Sequence, residues 1–495
     1  MGHVMSVRNW TVAAGAICLS ACAVGPNFKR PAAPAATDYG AAPLHGDTSA
    51  TGGTGGNAQR FVVDEDISAQ WWTLFQSSSL DQLVEQALTG NPNISAAQAA
   101  LRQANELYLA QRATVIPSIQ GGVSATRAKN AVETIANPTS LPQINPYYNL
   151  YTAQLNVSYM PDVFGGTQRS IEAAKAQADS TRYQLEATRL TLSSNVVVTA
   201  IQEASLRGQI AATERLVELQ RQLTTTVRGQ QGLGTASELD LLTQQAAEEQ
   251  ALATLPPLQK QLAQSRDALT ALLGRLPSSE PDVTFRLEEL KLPVDLPVSL
   301  PAKLVAQRPD VRVAEENLHA ASAQAGVALA DMLPQFTITA DTGSAALALN
   351  KLFTPYTGFW NVGVSLTQTL FDAGALLHKK RAADAALDEA AAQYRAAVIL
   401  ACQNVADSLH ALQEDANALK ADAEAARAAK ALFDIANQQR SLGTVSDVAL
   451  LVVEQTYQQA QLALVQAQAN RYADTAALFQ ALGGGWWNRP QGGSL

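Results

Sequence analysis

The sequence predicts a mostly α-helical, internally duplicated chain in which each half carries two β-strands and one long helical hairpin. Three observations predict it. Residues 167–228 contain no proline and one glycine, and residues 375–442 contain neither, so each stretch can run as a single helix. Four shorter segments alternate apolar and polar residues, the period of a two-faced strand. The chain also repeats itself. Asn91-Pro92-Asn93-Ile94 returns as Arg308-Pro309-Asp310-Val311, 217 residues later, and Leu101 and Pro117 return as Leu318 and Pro334 at the same offset. Gly234-Thr235-Ala236-Ser237 returns as Gly443-Thr444-Val445-Ser446, and Leu273-Gly274 as Leu482-Gly483, both 209 residues on. A unit of about 200 residues is too long for a solenoid repeat, whose period is roughly 20–50. It fits a fused pair of half-proteins.

Composition agrees. Of the 495 residues, 47% are apolar but only 6% aromatic, and alanine is very common, which suits closely packed helices better than a bulky core. A net charge of −9 without a basic stripe excludes nucleic acid as a partner.

At the N-terminus, Arg8 followed by the apolar run 10–19 reads as a secretion signal, too short to cross a bilayer. Leu19-Ser20-Ala21-Cys22 resembles a bacterial lipobox, in which the cysteine is acylated and becomes the first mature residue. An ordinary signal peptide with a chance cysteine is the alternative. The segments follow: signal peptide 1–21, acylated N-terminus and linker 22–65, first repeat 66–274, inter-repeat segment 275–308, second repeat 309–483 and tail 484–495. The linker is rich in Pro, Ala, Gly and Thr and is expected to be poorly ordered in part. With Cys18 removed and Cys22 acylated, Cys402 is the one thiol left, a small apolar residue mid-helix. No other stretch reaches 18 consecutive apolar residues, so no transmembrane helix is expected.

Trp71-Trp72 and Phe75 open the folded region, and Leu80, Leu83, Val84, Ala87 and Leu88 follow at helical spacing. Helix continues over about 92–115. Strands are expected at 118–128, 151–159, 335–343 and 360–367, with Tyr147, Tyr148, Tyr356, Phe359 and Trp360 near the strand starts. Nine-residue strands with one apolar and one polar face are what a membrane barrel uses, although a soluble sheet packed on helices shows the same alternation. Four strands cannot close a barrel and open edges are not tolerated in lipid, so a membrane reading demands several copies. The long helices, 62 and 68 residues, amount to roughly 93 Å and 102 Å at 1.5 Å per residue. Gly234 and Gly443 suit left-handed caps, and Ser237 and Ser446 suit the N-caps of the returning helices. Pro256-Pro257 predicts a break or strong kink in the first returning helix, with no counterpart in the second.

The chemistry-bearing residues are sparse. His3, His45, His319, His378 and His410 are scattered without metal-ligand spacing, and neither a phosphate loop nor a nucleophile elbow is present. No catalytic constellation, metal site or cofactor is implied.

Taken together, several motifs resemble a known family. Cys22-Ala23-Val24-Gly25-Pro26, Trp71-Trp72, Leu80-Asp81, Asn91-Pro92, Gln307-Arg308-Pro309-Asp310-Val311-Arg312 and Leu482-Gly483-Gly484-Gly485-Trp486 are similar to the TolC/OprM-like outer-membrane efflux factors, in particular the NodT-type lipoproteins. The resemblance spans essentially the whole chain. It implies a homotrimer whose protomers give four strands each to a shared twelve-stranded barrel in the outer membrane. The long helices would form a periplasmic α-helical barrel, girdled by an equatorial domain built from the N-terminal region, segment 275–308 and the C-terminus. It further implies lipid anchoring through Cys22 and a passive exit duct of a tripartite pump for small toxic compounds, with a periplasmic adaptor protein and an inner-membrane transporter as partners. The adaptor would dock at the turns Gly234, Thr235, Ser237 and Gly443, Thr444, Ser446. Relatives narrow the periplasmic end with a hydrophobic and an acidic ring. Aligned from Gly443, the first falls on Val448 and the second on Val452, while a tyrosine position falls on Arg440 and Asp447 lies nearby out of register. The candidate gate is therefore Arg440, Asp447, Val448 and Val452, with the acidic ring in doubt and plain helix packing as the alternative. Two other functions fit the pattern less well: an exit duct for protein secretion, and an acylated periplasmic coiled-coil scaffold without a pore.

Overall fold

A computed structural model describes residues 24–40, 46–129 and 147–489. Cys22, the signal, His45 and the last residues of the tail lie outside the described residues. In chain order the elements are β1 (Arg60–Val63), α1 (Ser78–Gly90), α2 (Pro92–Ala113), β2 (Ser118–Lys129), β3 (Tyr147–Tyr159), α3 (Gly166–Gly232), α4 (Glu238–Leu272), β4 (Asp295–Val298), α5 (Pro301–Gln307), α6 (Pro309–Ala330), β5 (Gln335–Ala346), β6 (Gly358–Thr367), α7 (Ala375–Ser441) and α8 (Asp447–Ala481). The protein is mostly helical with a small β contribution, and α3 and α7 are 67 residues each. The chain divides into two compact units, each taking pieces of both repeats.

The first unit holds residues 102–180 and 315–393 together with the N-terminal stretch up to Arg30. Its centre is a four-stranded antiparallel sheet in the order β2-β3-β5-β6. The strands run one to four residues beyond the alternating segments, because pairing continues past the residues whose pattern is legible. Register carries the alternation across the sheet. Ile119 and Val123 stand opposite Val157 and Ala153, Val157 opposite Ala340, and Ala340 opposite Val362. The apolar side chains of this face stay open to solvent in the single chain: Val123 is 82% exposed and Val364 72%. The opposite face carries Gln120, Ser124, Gln154, Asn156, Asp341 and Ser365 by the same register. Asn156 donates to the Asp341 carboxylate on that polar face.

The second unit holds residues 31–101, 181–314 and 394 onward. Its core is aromatic despite the aromatic-poor composition. Trp71 stacks on Phe479 at 5.4 Å and meets Phe75 edge-on at 6.4 Å, all three nearly inaccessible to solvent. Parallel pairing of β1 with β4 joins the N-terminal region to the inter-repeat segment. Trp486 closes the C-terminus against the same region by donating from Nε1 to the carbonyl of Gln307 at 2.6 Å. The linker is tied down where it is described. Arg471, fully buried, donates to Thr48 Oγ1 at 2.8 Å and to the carbonyl of Asn57 at 2.7 Å. Glycines and threonines there make a hydrogen-bonded turn, Thr51 to Gly56, instead of a free tether.

The Asn91 and Arg308 motifs do the same work in each repeat. Asn91 Nδ2 donates to the carbonyl of Leu272 at 2.8 Å, the end of α4. Arg308 Nη1 donates to the carbonyl of Ala481 at 2.9 Å, the end of α8. Each returning helix thus has one of its unsatisfied terminal carbonyls closed by a side chain from the opening of its repeat. Asn91 Oδ1 also accepts from the Asn93 N–H at 2.8 Å, capping α2, with Pro92 at the first helical position. Along α7 the buried positions Val405, Leu409, Leu412, Ala416, Leu419, Ala423 and Ala426 recur every three or four residues, the seam of a coiled coil.

The expected break at Pro256-Pro257 is absent, and α4 runs through both prolines to Leu272. Their fixed φ is helix-compatible, so what they remove is two N–H donors. The carbonyls they free are those of the half-buried Leu252 and the exposed Ala253, four residues back, and both prolines face solvent, where water can reach the freed groups.

Asp415 on α7 lies beside Asp474 and the buried Arg471 on α8, and one of its carboxyl oxygens is buried without a donor. Burial, and then the Asp474 carboxylate, push the Asp415 carboxyl up to about 7. A raised acid favours folding while it holds its proton. That stability is full below the unfolded value near 4 and is lost as pH rises through about 7.

Two outcomes are expected. Asn91→Ala should cost about 1–2 kcal/mol in denaturant unfolding of the purified protein, and Asn91→Asp, which keeps the acceptor but loses the donor, should recover only part of it. Equal stability of Asn91→Ala and wild type would refute the cap. In thermal melts the wild type should weaken from about pH 5 to pH 8, and Asp415→Asn should flatten that slope because its amide donates where the acid proton did.

Candidate functional site at the hairpin turns

The two turns are built alike, as the repeat requires. α3 ends at Gly232, and Gly234 takes φ +74°; α7 ends at Ser441, and Gly443 takes φ +76°. In the first, Thr235 N–H donates to the carbonyl of Gln230 at 2.9 Å, and in the second Thr444 N–H donates to Gln439 at 3.0 Å. The threonine hydroxyls reach the same carbonyls, each at 2.9 Å. A left-handed glycine followed by a threonine therefore closes the helix end twice over, which explains the Gly-Thr pair. Any side chain at either glycine meets open space, so its cost comes from the backbone angle alone.

The returning helices are capped unequally. Ser237 and Asp240 form a reciprocal capping box: Asp240 N–H donates to Ser237 Oγ at 3.1 Å, and Ser237 N–H donates to the Asp240 carboxylate at 2.9 Å. Those bonds from Ser237 hold the Asp240 carboxyl below the usual range. Ser446 caps α8 with a single bond from Ala449 N–H at 3.2 Å, because alanine occupies the position of Asp240. The second turn has an ion pair instead. Arg440, at the end of α7, meets Asp447, at the start of α8, with Nε to Oδ1 at 2.5 Å. Each charge sits at the helix end whose dipole favours it.

Val448 is half-buried, while Val452 is 48% exposed. Arg440 and Asp447 are thus brought together. A further pair ties the second hairpin to α3: Arg215 donates from Nε to Glu454 at 3.0 Å, and Glu454 is buried. Arg221, also on α3, faces Glu248 on α4 at 3.7 Å. Between the end of α3 and the second turn lies a cleft of about 550 Å³, lined by Glu218, Arg221, Arg440, Asp447, Leu451 and Glu454 among others. The one signal for Glu454 in the sequence is its spacing: seven residues after Asp447, it shares that helix face. Arg215 carries no local signal, since its partner is 239 residues away.

Among the described residues no cluster of three or more metal-ligating side chains exists, and no helix is long and apolar enough to cross a membrane. Cys402 is a half-buried free thiol.

The chain matches the family described as outer membrane efflux protein over residues 83–275 and 300–484. It is 27% identical over 491 residues to the pyoverdine export outer membrane protein OpmQ of Pseudomonas aeruginosa, covering 99% of both chains. It is 27% identical over 489 residues to the toluene efflux pump outer membrane protein TtgF of Pseudomonas putida, covering 95% of this chain and 96% of that one. The structure is similar to the outer-membrane channel OprN, with a TM-score of 0.80 at 25% identity over 94% of this chain and all of the other. The Campylobacter jejuni channel CmeC shares the fold, with a TM-score of 0.79 at 22% identity over 94% of this chain and 95% of the other. The chain belongs to the outer membrane efflux protein family and is the outer-membrane component of a bacterial efflux system, not an enzyme.

Proposed function

We propose that the chain is a passive, trimeric exit duct for small toxic compounds. The observation that carries this is the four-stranded sheet, apolar on one face and polar on the other in register, whose outer strands β2 and β6 each have one neighbour among the described residues. In lipid such edges need partners, and three copies supply a closed ring of twelve strands. The helical hairpins extend into the periplasm as a tube. Their turns at Gly234, Thr235, Ser237 and Gly443, Thr444, Ser446 receive a periplasmic adaptor, and an inner-membrane transporter supplies the energy. Relatives named for pyoverdine and toluene handle small molecules, which favours this reading over a protein-secretion duct. A scaffold without a pore has no use for a two-faced sheet.

The second hairpin is the mobile wall of the gate. Its N-cap is the weaker one, and it is held by Arg440–Asp447 across the turn and by Arg215–Glu454 to α3. Val448 and Val452 leave the constriction apolar, without an acidic ring. Cys22 carries the acyl anchor. Val24, two residues on, donates its N–H to the carbonyl of Phe164 between β3 and α3. That is the membrane boundary if the sheet spans the lipid.

Deleting the gene should sensitise cells to solvents and small antibiotics while leaving protein secretion intact; the reverse outcome would sink the efflux reading. Purified protein in a planar bilayer should conduct poorly, and the double variant Arg215→Ala/Arg440→Ala should conduct several-fold more, roughly the effect of removing two weak restraints. Unchanged conductance would locate the gate elsewhere. Cys22→Ser should lose the acyl mass yet still sediment as a trimer.

A further inference from the structure

Residues 24–30 lie across the first unit as a strap. Arg169 on α3, itself buried, donates from Nη2 to Asn27 Oδ1 at 2.6 Å and from Nε to the carbonyl of Val24 at 3.3 Å. Gly25, at φ +91°, passes so close to Gly326 on α6 that a Cβ would sit 2.5 Å from its Cα. Arg30 makes a two-pronged pair with Glu315 of α6, at 2.8 and 3.0 Å. Between these fixed ends, the Phe28 ring stacks on His319 at 4.3 Å with a 15° tilt.

His319 sits between two carboxylates on different helices. Nε2 lies 2.9 Å from Glu172 on α3, and Nδ1 lies 3.5 Å from Glu316 on α6. A neutral imidazole has one N–H and one lone pair, so one of these contacts would set a lone pair against a carboxylate. The imidazolium satisfies both and presents a cation to the Phe28 ring. The charged groups facing it are Glu172 with its partner Arg169 on α3 and Glu316 on α6, with the Arg30–Glu315 pair beyond. The bond to Glu316 raises the His319 pKa, burial opposes it, and Glu172 adds to the rise.

We propose that residues 24–30 are a pH-gated strap, locked over α3 and α6 by protonated His319 and loosened when that proton leaves. Deprotonation sets an imidazole lone pair against one of the two acids and removes the charge under Phe28. A raised histidine contributes its full stability below its unfolded value near 6.5 and loses it as pH climbs through the folded value. If Cys22 is acylated as proposed above, the strap couples the lipid anchor to the start of α3, and its release lets the anchor move independently.

The test is hydrogen exchange on the full-length protein in detergent, reading amides 24–30 and correcting for intrinsic rates. Wild-type protection should fall several-fold between pH 6 and pH 9, as the raised histidine loses its proton. His319→Gln should give low protection at both pH values. Phe28→Leu, which leaves the histidine cluster in place, should lower protection at pH 6 and shrink the difference. Equal wild-type protection at both pH values, or an unchanged pH dependence in His319→Gln or Phe28→Leu, would overturn the strap. The mass of the N-terminal peptide from the same samples reads acylation separately: an unmodified Cys22 overturns the anchor assignment and leaves the strap to stand on its exchange data.

Discussion

The end of a helix leaves carbonyls that must find donors, and in this protein each returning helix finds one about 180 residues back in the chain. Asn91 closes α4 and Arg308 closes α8. Much of the second unit depends on that closure, because it locks the base of each hairpin to the opening of its own repeat. Arg308 is further held by Asp310, at 2.9 and 2.6 Å, and the neighbouring Gln307 carbonyl takes Trp486. Two sequence motifs nearly 180 residues apart thus meet in one small cluster, which accounts for both the Gln307–Arg312 run and the Leu482–Trp486 run.

The hairpins themselves are held by small residues. Alanine shares the buried seam of α7 with leucine and valine, giving close helix contact with modest drive from any one position. Such helices are long and stable in aggregate while individual contacts near the turns stay weak. The difference between the two turns lies in their caps. A reciprocal box holds the first; one hydrogen bond and one exposed ion pair hold the second. Exposed pairs contribute little stability, so the second turn is the softer one.

Much of this was legible. The proline-free runs marked α3 and α7 to within a few residues, alternation marked the four strands, and the Gly-Thr-x-Ser repeats marked both turns. Of the break or strong kink read from Pro256-Pro257, the break is absent: α4 continues through both prolines, and on its solvent face water can replace the lost donors. In the described part of the linker, glycine and threonine at 51–56 form a hydrogen-bonded turn, and Arg471, more than four hundred residues on, holds the segment in place, a contact that composition does not carry. The Arg215–Glu454 and His319–Glu172 pairs had no local signature, since each joins two helices far apart in the chain; only Glu316, three residues before His319, was within local reach.

By itself the sequence determined what local physics dictates: where helices can run, where strands alternate, where a left-handed glycine must end a helix, and that the pattern occurs twice. Periodicity and backbone restriction act between neighbours in the chain, so they can be read from it. Only the tertiary structure decided which side chain closes which helix end, that Arg440 meets Asp447 across a turn, and that one histidine sits between acids of two helices. Most of those pairings join residues far apart in the chain, and even across the seven residues from Arg440 to Asp447 the geometry is set by how the turn packs the two helix ends.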